Sequence, residues 1–473
     1  MAEPLCILRA ASQIRRRRLA PLELVERCLD QIRRYEDRIH AWVLVDEEGA
    51  RRTARDLQRQ DWRGPLHGIP LGIKDIIDVE GFPTRAGSPL RADHLARADA
   101  PLVAALRQAG AIILGKTVTV EFACFDPSAT RNPWDPAFSN TGAPAQGQPA
   151  ARTQTPPSAT IPPSTPRYTP GGSSSGSAAA VALGMCLGAI GTQTGGSLVR
   201  PASYCGVATC KPTFGRLDAE GIVPLSYHLD HPGPMARTVG GLQAILSCLL
   251  RAAPSQPVTP SSPPRLGYIE EFFMEQADGP IRAVTQSALA SLRRGGAAVE
   301  PILCDLDFAE IGPLHRRIMA VEAAAYHRQQ FAAQRGSYGP LIAALLDEGL
   351  GVSAVDYAAA LAHQRRFRRH VDTLFASRAA DQRSASVPVD ALVMPSTETT
   401  APATLRTTGS PKFQAPWSYA GVPVVSIPCG LAGDGMPAGL QLVGRRAEDA
   451  ALLATARWCE QRLAFAELPP LLG

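Results

Sequence analysis

Strand and helix signals alternate along this 473-residue chain, and that alternation predicts the α/β fold class. Two further observations support it. Apolar residues recur at three- and four-residue spacing in the longer segments, and short apolar runs bounded by glycine and proline lie between them. Length allows one large domain or two to three smaller ones. No tandem repeat of about 20–50 residues is visible.

The elements read as follows. Leu22, Leu24, Val25, Cys28, Leu29, Ile32 and Ile39 predict an amphipathic helix over 20–45, with a second helical stretch to about Arg59. Residues 64–75 read as a turn leading into a short buried strand. Residues 101–110 predict a helix and 111–115 a buried strand. A strand over 265–269, a helix over 280–294 and a strand over 299–304 follow a Pro/Ser-rich stretch at 252–264. Residues 313–375 read as helical with arginine-rich faces. Buried strands are expected at 391–394, 422–427 and 438–443, then a final helix over 447–462. The organisation is thus a helical part (1–60), a motif-bearing core (61–250) and a C-terminal part (265–473). Within the core, residues 139–168 hold seven prolines, eight serines or threonines and one large aliphatic residue, Ile161. Such a segment cannot bury enough apolar surface to offset its ordering entropy, so it reads as a mobile insert, an inert surface loop or a flap.

Composition excludes several functions. The chain is 45% hydrophobic and 19% charged, with a formal net charge of +5, which does not suggest nucleic acid. Arg15 to Arg18 form a basic run read as a solvated helix face. No apolar stretch follows it as an export leader would require, and no window supplies the ~18 apolar residues of a membrane span. Ten cysteines without a C-x-x-C pair read as reduced small hydrophobes in a cytosolic protein.

Two clusters carry the chemistry: GGSSSGS at 171–177 and GTQTGGS at 191–197. Glycine is costly in regular structure, so such runs suggest backbone that approaches something closely. Successive N–H groups at Thr194, Gly195 and Gly196 can form an anion-binding nest before Ser197. Ser197 is then a candidate nucleophile; the alternative is a tight glycine turn. No histidine lies in either cluster. His228 and His231 flank Asp230 and admit a His–Asp or metal reading, but they do not complete a metal site, and Pro232-Gly233-Pro234 favours a loop. Only four of the 48 basic residues are lysines, and Lys74 ends the apolar run 69–73. A buried lysine loses its charge readily and can act as a base; the alternatives are a snorkelling lysine or one paired with Asp75.

These residues also resemble a known family. GIPLGIKD at 68–75, both glycine-serine clusters, Arg200-Pro201-Ala202, Lys211-Pro212-Thr213, GPMARTV at 233–239, Gly421-Val422-Pro423 and GLQLVG at 439–444 are similar to the motifs of the amidase signature family. The resemblance spans nearly the whole chain except 139–168. It implies one α/β domain with a central mixed sheet flanked by helices, hydrolysing a carboxamide without metal or organic cofactor. It further implies Lys74 as base, Ser173 after a cis peptide bond as bridging serine, Ser197 as nucleophile, and Ser174 supporting Lys74 by a hydrogen bond.

Two departures stand out. Gln193 and Val199 occupy positions where many members have Asp and Arg, and the arginine comes one residue later, at Arg200. This pattern resembles malonamidase-type small amidases. Arg200, free of its usual partner, is then expected to clamp a substrate carboxylate, the alternative being a structural role. The expected partner is a small amide, with no nucleic acid or membrane and a possible homodimer. The alternative function is a glutaminase-type A subunit of a tRNA-dependent amidotransferase.

Overall fold

The computed structural model describes residues 5–138, 167–250, 262–302, 304–375 and 388–472. The insert expected at 139–168 lies outside the described residues except for its last two positions, and most of the stretch at 252–264 lies outside them too. In chain order the strands are β1 (Trp42–Val45), β2 (Pro70–Lys74), β3 (Ile112–Thr117), β4 (Gly188–Gln193), β5 (Ala208–Lys211), β6 (His231–Ala236), β7 (Arg265–Tyr268), β8 (Ala298–Pro301), β9 (Ala391–Pro395), β10 (Val424–Leu431) and β11 (Pro437–Val443). They form one sheet in the order β1-β3-β2-β4-β6-β5-β10-β11-β9-β7-β8. β2 runs parallel to both β3 and β4, and β7 parallel to both β8 and β9; the other neighbours are antiparallel. The sheet is therefore mixed, and the chain forms a single large α/β domain.

The helix expected over 20–45 ends earlier. It spans Pro21–Ile39 and stops where His40 turns left-handed at φ 56°. Trp42–Val45, rich in β-branched and aromatic side chains, becomes β1 and pairs with β3. The proline-rich 232–234 stretch is a strand, not a loop. β5 reaches only Ala236 and Met235, so Pro232 and Pro234 pair on one side alone, with β4. A missing N–H is tolerated in such a place. The long helical region resolves into Ile311–Gln334, Pro340–Gly351 and Ala354–Leu374.

Helices close over the sheet. Ser175–Ala182 packs on β2, β3 and β4, and Val199–Cys205 on β5, β10 and β11. Gly176 shows why the first cluster needs glycine. A Cβ there would lie 2.2 Å from the Ala41 carbonyl oxygen and 2.4 Å from the Val118 nitrogen. Among the described residues, no helix is long and apolar enough to cross a membrane.

Candidate active site

Parallel pairing delivers the key residues to one edge of the sheet. β2 and β4 are parallel neighbours, with Ile73 in register with Ile190. The C-terminal ends of both strands therefore emerge together, the usual place for a site in an α/β sheet. Lys74 ends β2, and the 194–197 loop leaves β4. Antiparallel β6 begins at the same edge, where His231 pairs with Gln193, so Asp230 arrives there too.

Lys74 is fully buried. Its Nζ lies 2.6 Å from Ser173 Oγ and 2.8 Å from Thr192 Oγ1. Burial pushes the amine from the ordinary lysine value down to about 7, with Asp230 pulling weakly the other way. Asp75 is not its partner: that carboxylate pairs with Lys116 at 3.0 Å, with both side chains buried. Ser173 follows the cis peptide bond Gly172–Ser173, and Ser197, 8% exposed, lines the same cavity.

The 194–197 loop has its carbonyls pinned from behind. His315 Nε2 donates to the Thr194 oxygen at 2.9 Å, Ser418 Oγ to Gly195 O at 2.8 Å, and Arg200 N–H to Gly196 O at 2.9 Å. In a trans peptide the next N–H points opposite to the carbonyl. The N–H groups of Gly195, Gly196 and Ser197 are thereby turned away from those partners. Gln193 adds to the hold: its Oε1 accepts from Leu198 N–H and Val199 N–H, and its Nε2 donates to Ser418 Oγ. A neutral amide thus caps the start of the Val199–Cys205 helix.

One expectation needs correction. Ser174 does not hydrogen-bond Lys74. Its Oγ donates to the Thr192 carbonyl and accepts from the Thr192 N–H, each at 3.3 Å, because it opens the helix that packs on β4. The contact expected of Ser174 belongs to Thr192, whose side chain faces Lys74. Arg200 is not free. Its guanidinium donates to Gly409 O and Gly172 O, each at 2.7 Å, and to Thr408 Oγ1 at 3.0 Å. Lacking its usual acid, it has turned to neutral backbone acceptors, and burial lowers it to about 10, still protonated at neutral pH. The His228, Asp230 and His231 side chains, which admitted a His–Asp or metal reading, take separate partners. His228 bonds Glu322, His231 Nδ1 bonds the Leu229 carbonyl, and Asp230 accepts from Thr194 Oγ1 and from the N–H groups of Leu225 and Ser226.

Sequence reasoning missed His315, Ser418 and Thr192. The first two come from the distant helices Ile311–Gln334 and Ala415–Ala420 and sit in no motif. Thr192 lies inside the second glycine-serine cluster, next to the end of buried β4, but no sequence signal marks it as a partner of Lys74. The cavity beside these residues has a volume of about 490 Å³ and is lined by Ser173, Ser197 and Arg200, with Phe125, Phe272 and Phe308 among its apolar walls.

Known proteins of similar sequence and fold identify the family. A family model described as Amidase matches residues 23–453. The A subunit of a glutamyl-tRNA(Gln) amidotransferase from Roseiflexus castenholzii is 30% identical over 95% of this chain and 94% of its own length. An amidase from Pseudomonas putida is 31% identical over 91% of this chain and 90% of its own. A crystal structure of an amidase has a TM-score of 0.81 at 31% identity, covering 97% of this chain and 100% of that one. These names support the family, not the malonamidase-type subtype. The chain belongs to the amidase signature family and is an amide hydrolase.

Proposed function

We propose that the enzyme cleaves a carboxamide C–N bond through a relay of Lys74, Ser173 and Ser197. The observation that carries this is the buried, weakly basic Lys74 amine 2.6 Å from Ser173 Oγ, beside a cavity that Ser197 also lines. Neutral Lys74 accepts the Ser173 proton while Ser173 Oγ accepts that of Ser197. Ser197 Oγ then bonds to the amide carbon, and the carbonyl electron pair moves onto oxygen. The N–H groups of Gly195, Gly196 and Ser197 hold that oxyanion; Thr194 contributes the pinned carbonyl behind it. The proton returns through Ser173 to the leaving amine, the C–N bond breaks, and water cleaves the acyl-enzyme. Arg200 serves here as a positioning residue that holds the Gly172 and Gly409 carbonyls, and its Nε–H, without a partner among the described residues, is not committed by those bonds.

Labelling with a fluorophosphonate tests the reading. The wild type should be labelled at Ser197, and the Ser197→Ala variant should lose both label and turnover. A Ser197→Ala variant that still hydrolyses amides would refute it. The second reading, a glutaminase-type A subunit, is favoured by the relative from Roseiflexus castenholzii. Glutaminase activity that emerges only with added partner subunits would establish it.

A further inference from the structure

Resting on the amidase reading, we propose that the substrate is an amide bearing a ring-sized apolar group. The cavity beside Ser197 has about 490 Å³ and is walled by Phe125, Phe272, Phe308 and Met319. A small amide leaves most of that volume unfilled, whereas a phenyl ring meets apolar surface on several sides.

Three cations line the cavity, and two of them are paired with acids. Arg316 lies over the Phe125 ring at 5.5 Å and pairs with Glu348 at 2.7 Å. Lys412 lies over the Phe272 ring at 5.6 Å and pairs with Glu398 at 3.3 Å. Arg200 gives Nη1 and Nη2 donors to two backbone carbonyls and Thr408, and its Nε has no partner among the described residues.

Gly312 offers a direct probe. It lines the cavity from the Ile311–Gln334 helix, and a Cβ added there meets no atom within 4 Å. Gly312→Ala therefore adds a methyl group without a clash and controls for folding, and Gly312→Leu places further apolar atoms at that wall. The test is calorimetric binding to the Ser197→Ala protein, which needs no turnover. Burying a ring is worth roughly 30-fold in affinity, so 3-phenylpropionamide should bind about that much tighter than propionamide. Adding Gly312→Leu should lower the preference for the ring about tenfold. Equal binding of 3-phenylpropionamide and propionamide, or a preference unmoved by Gly312→Leu while Gly312→Ala folds normally, would overturn the proposal. Failure of the amidase reading would show separately, as wild-type protein that neither takes the fluorophosphonate nor hydrolyses any amide.

Discussion

Lowering the pH through 7 should switch the enzyme off by protonating Lys74. The amine is buried and held near 7, against an ordinary lysine value of 10.5. At about 1.4 kcal/mol per pH unit, that displacement represents roughly 5 kcal/mol against the charged form. At pH 5 only about 1% of the amine is neutral, so kcat/KM should fall roughly 100-fold below its plateau. The assay is kcat/KM for one amide between pH 5 and 9, with Lys74→Met as control. The wild type should show an acid limb near 7, and the variant should be near-inactive at every pH. An acid limb at 4–5, or none at all, would refute Lys74 as the base. Stability carries the same signature. The unfolded chain binds the lysine proton up to about 10.5 and the folded chain only to about 7, so stability rises with pH across that window. Lys211, also buried and near 7, adds to the rise. Lys74→Met should therefore raise Tm more at pH 6 than at pH 10.

Three further outcomes are expected. Asp230→Asn removes a negative charge that favours protonated Lys74, so the acid limb should move to lower pH; an upward move would contradict the assignment. Arg200→Ala strips donors from Gly172 O and Gly409 O, and should cut kcat at least about tenfold on neutral and carboxylated amides alike; a KM rise confined to carboxylated amides would restore the clamp. His315→Ala leaves the Thr194 carbonyl without its partner, worth about 1–3 kcal/mol, and should lower kcat about 10–100-fold with little change in KM; an unchanged kcat would remove His315 from the positioning set.

The fold class and most strands were legible because apolar runs bounded by turn residues survive as local signals. Pro232 and Pro234 misled because proline reads as a breaker in one dimension, while a strand partnered on one side at those positions tolerates it. Lys74, Ser173 and Ser197, the residues proposed for the relay, were singled out through their motifs, and the structure brings Lys74 to Ser173 beside the cavity that Ser197 lines. The partners of Arg200 were not, since Thr408 and Gly409 lie more than 200 residues away and only the folded chain brings them close. His315 and Ser418 escaped for the same reason.

The carbonyl pins of the 194–197 loop bear on what a fragment of this protein can do. A truncated chain ending before residue 300 would keep every reactive side chain proposed for the relay, yet it would lack His315 and Ser418. Its glycine loop would be at liberty to rotate its peptide planes, and the donors proposed for the oxyanion would scatter. Possession of the signature is therefore not possession of a working catalyst; the second half of the polypeptide holds the first half's machinery in aim.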